Sequence, residues 1–247
     1  MNMKKAFEII EDRYSGITIQ NSSIEHSPLE FEEALVALLE NVENKKLLWI
    51  KLSIENAEFI PLLTKQGFVF HHCDENSLML VKKLITEPTM PTAKNHTLGV
   101  GVVVLDGKKL LTIKDRVYQT YKLPGGYIDD RENISKAAKR EVFEETGIKV
   151  EFDSIISLGH FTPAQFGESN LYVVCLAKPL SWEITIQDTD EIEDAKWIDV
   201  DEYLEREDVL PYNKELVKTA LKTKQGFIKN DELELQVRVN TEYELFF

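Results

Sequence analysis

The sequence predicts an α/β protein in two units, from three observations. Segments of alternating apolar residues interchange with segments of helical apolar spacing along the chain. Residues 87–95, EPTMPTAKN, hold two prolines and no apolar periodicity, and so read as a linker between units at 1–86 and 96–247. A glycine-bearing loop at 123–130 then leads into a helix with three glutamates on one face.

In the front unit, 7–11 and 17–20 read as short strands about a turn at Ser15-Gly16. Leu29, Phe31, Ala34, Leu35, Leu38 and Leu39 recur at helical spacing, with Ser27 as cap and Pro28 in the first turn. A buried strand is expected at 47–52. Ser53 then caps a second helix that runs to Lys65 and ends at Gly67. Strands at 68–71 and 77–84 flank a turn at Asp74-Glu75-Asn76. In the rear unit, strands at 98–105 and 109–114 are joined by a hairpin turn at Asp106-Gly107. The loop at 123–130 precedes a helix from about Asn133 to Thr146, closed by Gly147. Strands follow at 150–161, 171–177 and 195–200, and helices at 201–207 and 213–224. Leu233, Leu235, Val237 and Val239 alternate with polar residues as a terminal strand.

The chain has 247 residues, 43 acidic and 29 basic, for a net charge of −14. Such a chain repels a polyanion unless it carries a local basic patch, and none is visible, so no nucleic-acid partner is expected. A small anionic substrate is not excluded, because divalent cations can sit between two sets of negative charge. Two cysteines, Cys73 and Cys175, give no disulfide framework and point to a reducing compartment. The longest apolar run, 98–105, falls far short of the roughly twenty residues that span a bilayer. Glu8 and Glu11 break any signal-peptide core, so a cytoplasmic protein with no membrane partner is expected.

Glu141, Glu144 and Glu145 stand at i, i+3 and i+4, which brings their carboxylates onto one helix face. Like charges that close weaken a bare helix, so a compensating cation is implied; the plain alternative is a solvated acidic face. Hard divalent cations take oxygen ligands, and Mg²⁺ uses a few carboxylates together with substrate phosphates. Arg140 lies one turn before Glu144, placed to pair with it and orient it. Ala137, Ala138 and Val142 supply the apolar contacts that hold the helix to a sheet.

This segment resembles the Nudix box, G-x5-E-x7-R-E-U-x-E-E-x-G-U with U a bulky aliphatic residue. Gly126, Glu132, Arg140, Glu141, Val142, Glu144, Glu145, Gly147 and Ile148 fill every position. The resemblance implies an α/β/α sandwich around a mixed sheet. It also implies hydrolysis, with Mg²⁺ or Mn²⁺, of a nucleoside diphosphate linked to another moiety. Under it, Glu144 and Glu145 are core metal ligands, Glu141 and the Gly126 carbonyl complete the site, and Glu132 is structural. The general base, or an extra ligand, comes from outside the box: Glu191 first, then Glu193, then Glu168, each otherwise a surface acid.

Residues 48–83 look like the leading domain of two-domain Nudix proteins. These include plant ADP-ribose and NADH pyrophosphatases and the animal antisense fibroblast-growth-factor protein. The same strand-helix-Gly-Phe-strand pattern is similar to the end of a GNAT acetyltransferase fold. The Q/R-x-x-G-x-G/A loop of that fold is missing, so a GNAT-like α/β unit without acetyl transfer is expected. Pro163, fifteen positions after Ile148, is similar to a marker of ADP-ribose pyrophosphatases.

The resemblance thus implies cleavage of ADP-ribose, or of NADH, to AMP and the other phosphate half. The alternatives are another Nudix substrate (a nucleoside triphosphate, coenzyme A or a dinucleoside polyphosphate) and a non-enzymatic ADP-ribose-binding regulator. Phe161, Phe166 and Tyr172 are candidates to stack a base, Phe161 and Tyr172 being otherwise strand core. Arg116 and Lys122 are candidates to neutralise phosphate oxygens, or else surface cations. His71-His72-Cys73 lacks a second ligand pair at zinc spacing and reads as strand-end packing, and Cys175 reads as a small buried hydrophobe. A homodimer is expected from the family and from the strand edge at 233–247, the alternative being that this tail packs within its own chain.

Overall fold

A computed structural model describes residues 7–20, 27–117, 119–230 and 243–247, and the chain divides into compact units at 1–95 and 96–247. The front unit contains β1 (Ile9–Glu11), β2 (Gly16–Ile19), α1 (Pro28–Asn41) and β3 (Leu47–Ser53). A 3-10 segment, Ile54–Phe59, then runs into α2 (Ile60–Lys65), followed by β4 (Val69–Cys73) and β5 (Ser77–Lys83). The strand order is β1-β2-β3-β5-β4, with β2 and β3 parallel.

Helix α1 starts where the sequence places its cap. Ser27 N donates to Glu30 Oε2 at 3.1 Å and Glu30 N to Ser27 Oγ at 3.4 Å, a reciprocal cap that contributes about 1 kcal/mol. The single helix expected after Ser53 is divided instead. Asn56 leaves the helical region at φ −98°, ψ 21°, and Pro61, suited to a first helical turn, stands at the start of α2. Phe31 and Leu35 of α1, with Phe59 and Leu63, pack on Ile19, Leu48, Ile50, Leu52 and Leu80. Alternation turns Leu47, Trp49 and Val81 to the opposite face, where Tyr14, Met79 and Met90 pack on them.

The rear unit begins with β6 (His96–Asp106), β7 (Lys109–Asp115), β8 (Tyr121–Lys122), β9 (Gly125–Tyr127) and α3 (Ile134–Thr146). After these come β10 (Val150–Phe161), β11 (Ser169–Pro179), β12 (Ile192–Asp199), α4 (Val200–Glu205) and α5 (Pro211–Lys222). The sheet order is β10-β11-β6-β7-β12, with β11 parallel to β6 and the other pairs antiparallel. Val100, Val102 and Val104 meet Ala137, Ala138 and Val142 of α3 on one face. Val103, on the other face, meets Tyr203 of α4 and Leu216, Val217 and Ala220 of α5. This is the expected α/β/α sandwich with a mixed sheet.

Asp106 pairs with Lys109, so the turn residues are Gly107-Lys108, one position on from the expected pair. Strand β9 forms inside the expected loop because it pairs with β6, a partner more than twenty residues away in sequence. Helix α3 ends at Gly147, whose left-handed φ of 73° lets its N–H donate to Phe143 O at 2.7 Å. The terminal strand expected around 233–239 lies outside the described residues. Residues 243–247 return to the unit: Ile228 N and Phe247 O bond at 2.9 Å, and Phe246 packs on Phe152. No helix among the described residues is long and apolar enough to cross a membrane.

Candidate active site

Arg140 is the hub of the carboxylate face. Its Nη1 donates to Glu141 Oε1 at 2.8 Å and to Glu144 Oε2 at 2.9 Å. Its Nε and Nη2 donate to Glu132 at 2.9 and 2.8 Å, and Nη2 also reaches Tyr127 O at 3.0 Å. These bonds, led by those to Glu132, raise the guanidinium pKa, and the same bonds hold the Glu132 carboxyl below its ordinary value. Burial pushes Glu141 up, with Arg140 opposing the shift.

Glu145 is the deepest of the three glutamates, only 4% exposed. Burial pushes its carboxyl up to about 8, against the N–H of Gly125, which donates to it at 2.8 Å, and the charge of Lys122. The charges of Glu141 and Glu191 add to the rise. Strand β9 approaches the helix closely here: a Cβ on Gly126 would stand 2.8 Å from Glu141 Oε1.

The flanking ladder bonds, Val102 N to Pro124 O and Ile128 N to Leu98 O, place Gly126 in phase with β6. Its carbonyl oxygen accordingly lies 3.4 Å from where a Cβ on Gly99 would sit. The ligand role expected for the Gly126 carbonyl therefore meets an oxygen turned toward β6, while the backbone of Gly125 faces α3.

The donor set on this face is all hard oxygen, and among the described residues no cation directly contacts the buried Glu145 carboxylate, so the residues fit Mg²⁺ or Mn²⁺. Among the described residues, no three acidic, His or Cys side chains already converge on one point; Arg140 holds Glu141 and Glu144. Arg140 occupies one oxygen of each, Glu141 Oε1 and Glu144 Oε2, which leaves the second oxygen of each carboxylate to face a cation, and the Glu144 side chain is 47% exposed.

Beside Glu145 opens a cavity of about 340 Å³ lined by Lys122, Leu123, Gly125, Tyr172, Leu210 and Asn213. Lys122 Nζ pairs with Asp115 at 2.9 Å. The Tyr172 ring lies over two glycines of β6; a Cβ on Gly101 would stand 2.5 Å from its hydroxyl. Burial raises the pKa of that phenol.

The NUDIX domain pattern matches residues 95–220. The chain belongs to the Nudix hydrolase family. A second pattern, described as a Nudix hydrolase domain, matches residues 7–84. The chain is 33% identical over 213 residues to Nudix hydrolase 8 of Arabidopsis thaliana, covering 82% of this chain and 58% of that relative. It is 34% identical over 212 residues to Nudix hydrolase 2 of the same plant, covering 82% and 76%. It is 31% identical over 234 residues to human Nucleoside diphosphate-linked moiety X motif 6, covering 89% and 74%.

Within this Nudix unit, the fold brings Arg140, Glu141, Glu144 and Glu145 together and separates the three candidates outside the box. The Glu191 charge reaches both Glu141 and Glu145, and its backbone is held by Arg116 N and by Asp188 Oδ1. Glu193 is turned to Lys114 at 3.2 Å and to Gln119. Glu168 sits on the exposed loop before β11, its carbonyl bonded by Ala164 N.

Of the residues expected to meet substrate, Lys122 and Tyr172 line the cavity. Arg116 does not; its Nε donates to Thr189 O at 3.0 Å and fastens the loop that carries Glu191. Phe161 meets Tyr212 edge-on at 5.7 Å and Pro163 is exposed, both away from the cavity lining. Thr120, Leu210, Asn213 and Leu216 were not visible as site residues, because they reach it from the residue before β8 and from α5 with its N-cap. Glu244 is a further addition. It accepts from Ser135 N at 3.3 Å and from Ser135 Oγ at the start of α3, where the cap residue Asn133 makes no side-chain bond.

A pH dependence follows from Glu145. Its folded pKa is raised above the ordinary 4.5, so the folded state holds the proton more tightly than the unfolded chain. Its contribution to stability is therefore greatest below about pH 4.5 and declines until about pH 8, by on the order of a few kcal/mol. In EDTA, the melting temperature should fall across this window, and Glu145→Gln should remove much of that fall. An unchanged pH profile in the variant would contradict the assignment.

Proposed function

We propose that this Nudix hydrolase cleaves the pyrophosphate of a nucleoside diphosphate derivative, ADP-ribose or NADH, to AMP and ribose 5-phosphate or reduced nicotinamide mononucleotide. The observation that carries this reading is the buried Glu145 carboxylate, under the charges of Glu141 and Glu191 and bonded by the N–H of Gly125, which with Lys122 lines a neighbouring cavity. The human relative's name, which speaks of a nucleoside diphosphate-linked moiety, supports the substrate class.

Glu144, Glu145 and Glu141 would hold Mg²⁺ or Mn²⁺, which supplies positive charge against the pyrophosphate oxygens and lowers the pKa of the attacking water. Lys122 faces the substrate phosphates with the ammonium that now pairs with Asp115. Glu191 accepts the water's proton, its loop fastened by Arg116 and Asp188 so that the carboxylate stays near the reacting phosphorus. Arg140 keeps Glu132 fixed and aims Glu141 and Glu144. The cavity walled by Tyr172, Leu210 and Asn213 takes the nucleoside half.

The test is a substrate panel with product identification, run with Mg²⁺, with Mn²⁺ and with EDTA. ADP-ribose or NADH should turn over fastest, with AMP as a product and no turnover in EDTA. Dominant hydrolysis of a nucleoside triphosphate, coenzyme A or a dinucleoside polyphosphate would reassign the substrate. Tight ADP-ribose binding without turnover would make the chain a regulator.

A further inference from the structure

Among the described residues, helices of the front unit cover one face of its sheet. On its other face, residues 90–94 close over the strands: Met90 packs with Trp49, and His71 Nε2 donates to Pro91 O at 2.9 Å. Between this segment and the sheet lies a second cavity of about 340 Å³, whose walls include Tyr14, Trp49, His71, His72, Met79 and Lys94. The Trp49 and His71 rings meet edge-on, centroids 5.0 Å apart, and form an aromatic corner with Tyr14 and the Met79 thioether beside it.

The polar part of the lining holds Lys94, the two histidines and one carboxylate, Asp12. The Arg13 guanidinium lies over the Tyr14 ring at 4.9 Å. The nearby acids are already engaged. Asp12 accepts from Tyr14 N and Gly16 N, and Asp74 accepts from Asn76 N and Ser77 Oγ.

The histidines have a defined polarity. A register shift between Phe70 and His72 lets both neighbouring imidazoles reach the cavity. Pro91 O accepts the Nε2 proton of His71, which leaves His71 Nδ1 to accept from His72 Nδ1 at 2.7 Å. His72 Nε2 is then a lone pair without a partner among the described residues, and protonation turns it into a donor for an anion. Burial first, and then the charges of His71 and Lys94, hold His72 below its ordinary pKa, a strain that a bound anion relieves.

We propose that this front-unit cavity binds a nucleoside monophosphate, its ring in the corner of Tyr14, Trp49 and His71 and its phosphate at Lys94 and His72. The volume stands at the low end of the ~300–1,000 Å³ range of ligand pockets, which suits one nucleotide rather than a dinucleotide. The site is independent of the hydrolytic reading, because none of these residues belongs to the rear unit.

The experiment follows the indole N–H resonances of the full-length chain, labelled with ¹⁵N at tryptophan, during AMP titration in EDTA. Trp182 and Trp197 lie in the rear unit, with Nε1 donating to Asp106 and to Trp182 O, and serve as internal controls. Trp49→Phe assigns the third resonance. The Trp49 signal should move saturably with AMP, and Lys94→Ala should weaken that binding about tenfold, the loss of one charge-assisted contact. ADP-ribose turnover of Lys94→Ala, measured in parallel with Mg²⁺, should equal that of the unmodified chain. A chain that hydrolyses nothing would still report on this site through Trp49. The proposal is overturned if Trp49 is unmoved at millimolar AMP. It is also overturned if inorganic phosphate or adenosine alone moves Trp49 equally, or if Lys94→Ala binds unchanged.

Discussion

Glu145→Gln is expected to cut hydrolytic turnover by roughly 10²–10⁴-fold while the fold survives, with Glu144→Gln producing a similar loss. The two substitutions remove the same charge from different surroundings, and that difference makes the pair informative. Glu145 is buried beneath β9 and accepts from Gly125 N, a bond the Gln oxygen can still accept. Its neutral form is the one the apo fold prefers up to about pH 8. At neutral pH without metal, Glu145→Gln should therefore melt at a temperature equal to or above the parent's, even as activity collapses. Glu144 is half exposed and paired with Arg140, so its substitution should leave the metal-free melting temperature near the parent's. Steady-state kinetics with Mg²⁺ and calorimetry in EDTA read the two effects separately. Parent-level turnover in both variants would sink the carboxylate mechanism.

Arg140→Ala should cost both stability and activity. The guanidinium, 25% exposed, is bonded to three carboxylates and one carbonyl, and its loss leaves Glu132 and Glu141 uncompensated with 14% and 12% exposed side chains. Breaking a buried pair costs about 3–5 kcal/mol; with partial solvent access the expected loss is about 2–3 kcal/mol. Arg140→Lys should recover part of the stability but little of the turnover, because a single ammonium cannot bridge Glu132, Glu141 and Glu144 in the fork geometry seen here. Mg²⁺ should restore stability to Arg140→Ala more strongly than to the parent, since cation and guanidinium serve the same carboxylates. Equal metal-induced stabilisation in the two proteins would contradict that equivalence.

Helix α3 was legible almost residue for residue. Its start, its Gly147 end, the buried Ala137, Ala138 and Val142, and the shared face of its glutamates all follow from a 3.6-residue period and one left-handed cap. Other elements were legible only in part. The division of the helix after Ser53 turns on Asn56 and Pro61, and β9 exists only because β6 lies beside it. Glu191 and Glu193 look alike in sequence, separated by two positions in a strand-like run. A register shift in β12 between Ile192 and Asp194 breaks that run, and Glu193 turns to Lys114 while the Glu191 charge reaches the α3 glutamates.

The sequence by itself determined which residues could carry the chemistry, because box spacing, helix period and caps are properties of near neighbours. Tertiary structure decided the surroundings of each. It buried Glu145 and left Glu144 half in water, wrapped Arg140 in carboxylates, and brought α5 to the cavity. It also bonded Arg116 Nε to Thr189 O and left Phe161 and Pro163 outside the cavity lining. Desolvation and charge coupling depend on groups a few ångströms away in space, and here those groups come from strands and helices up to about ninety residues distant.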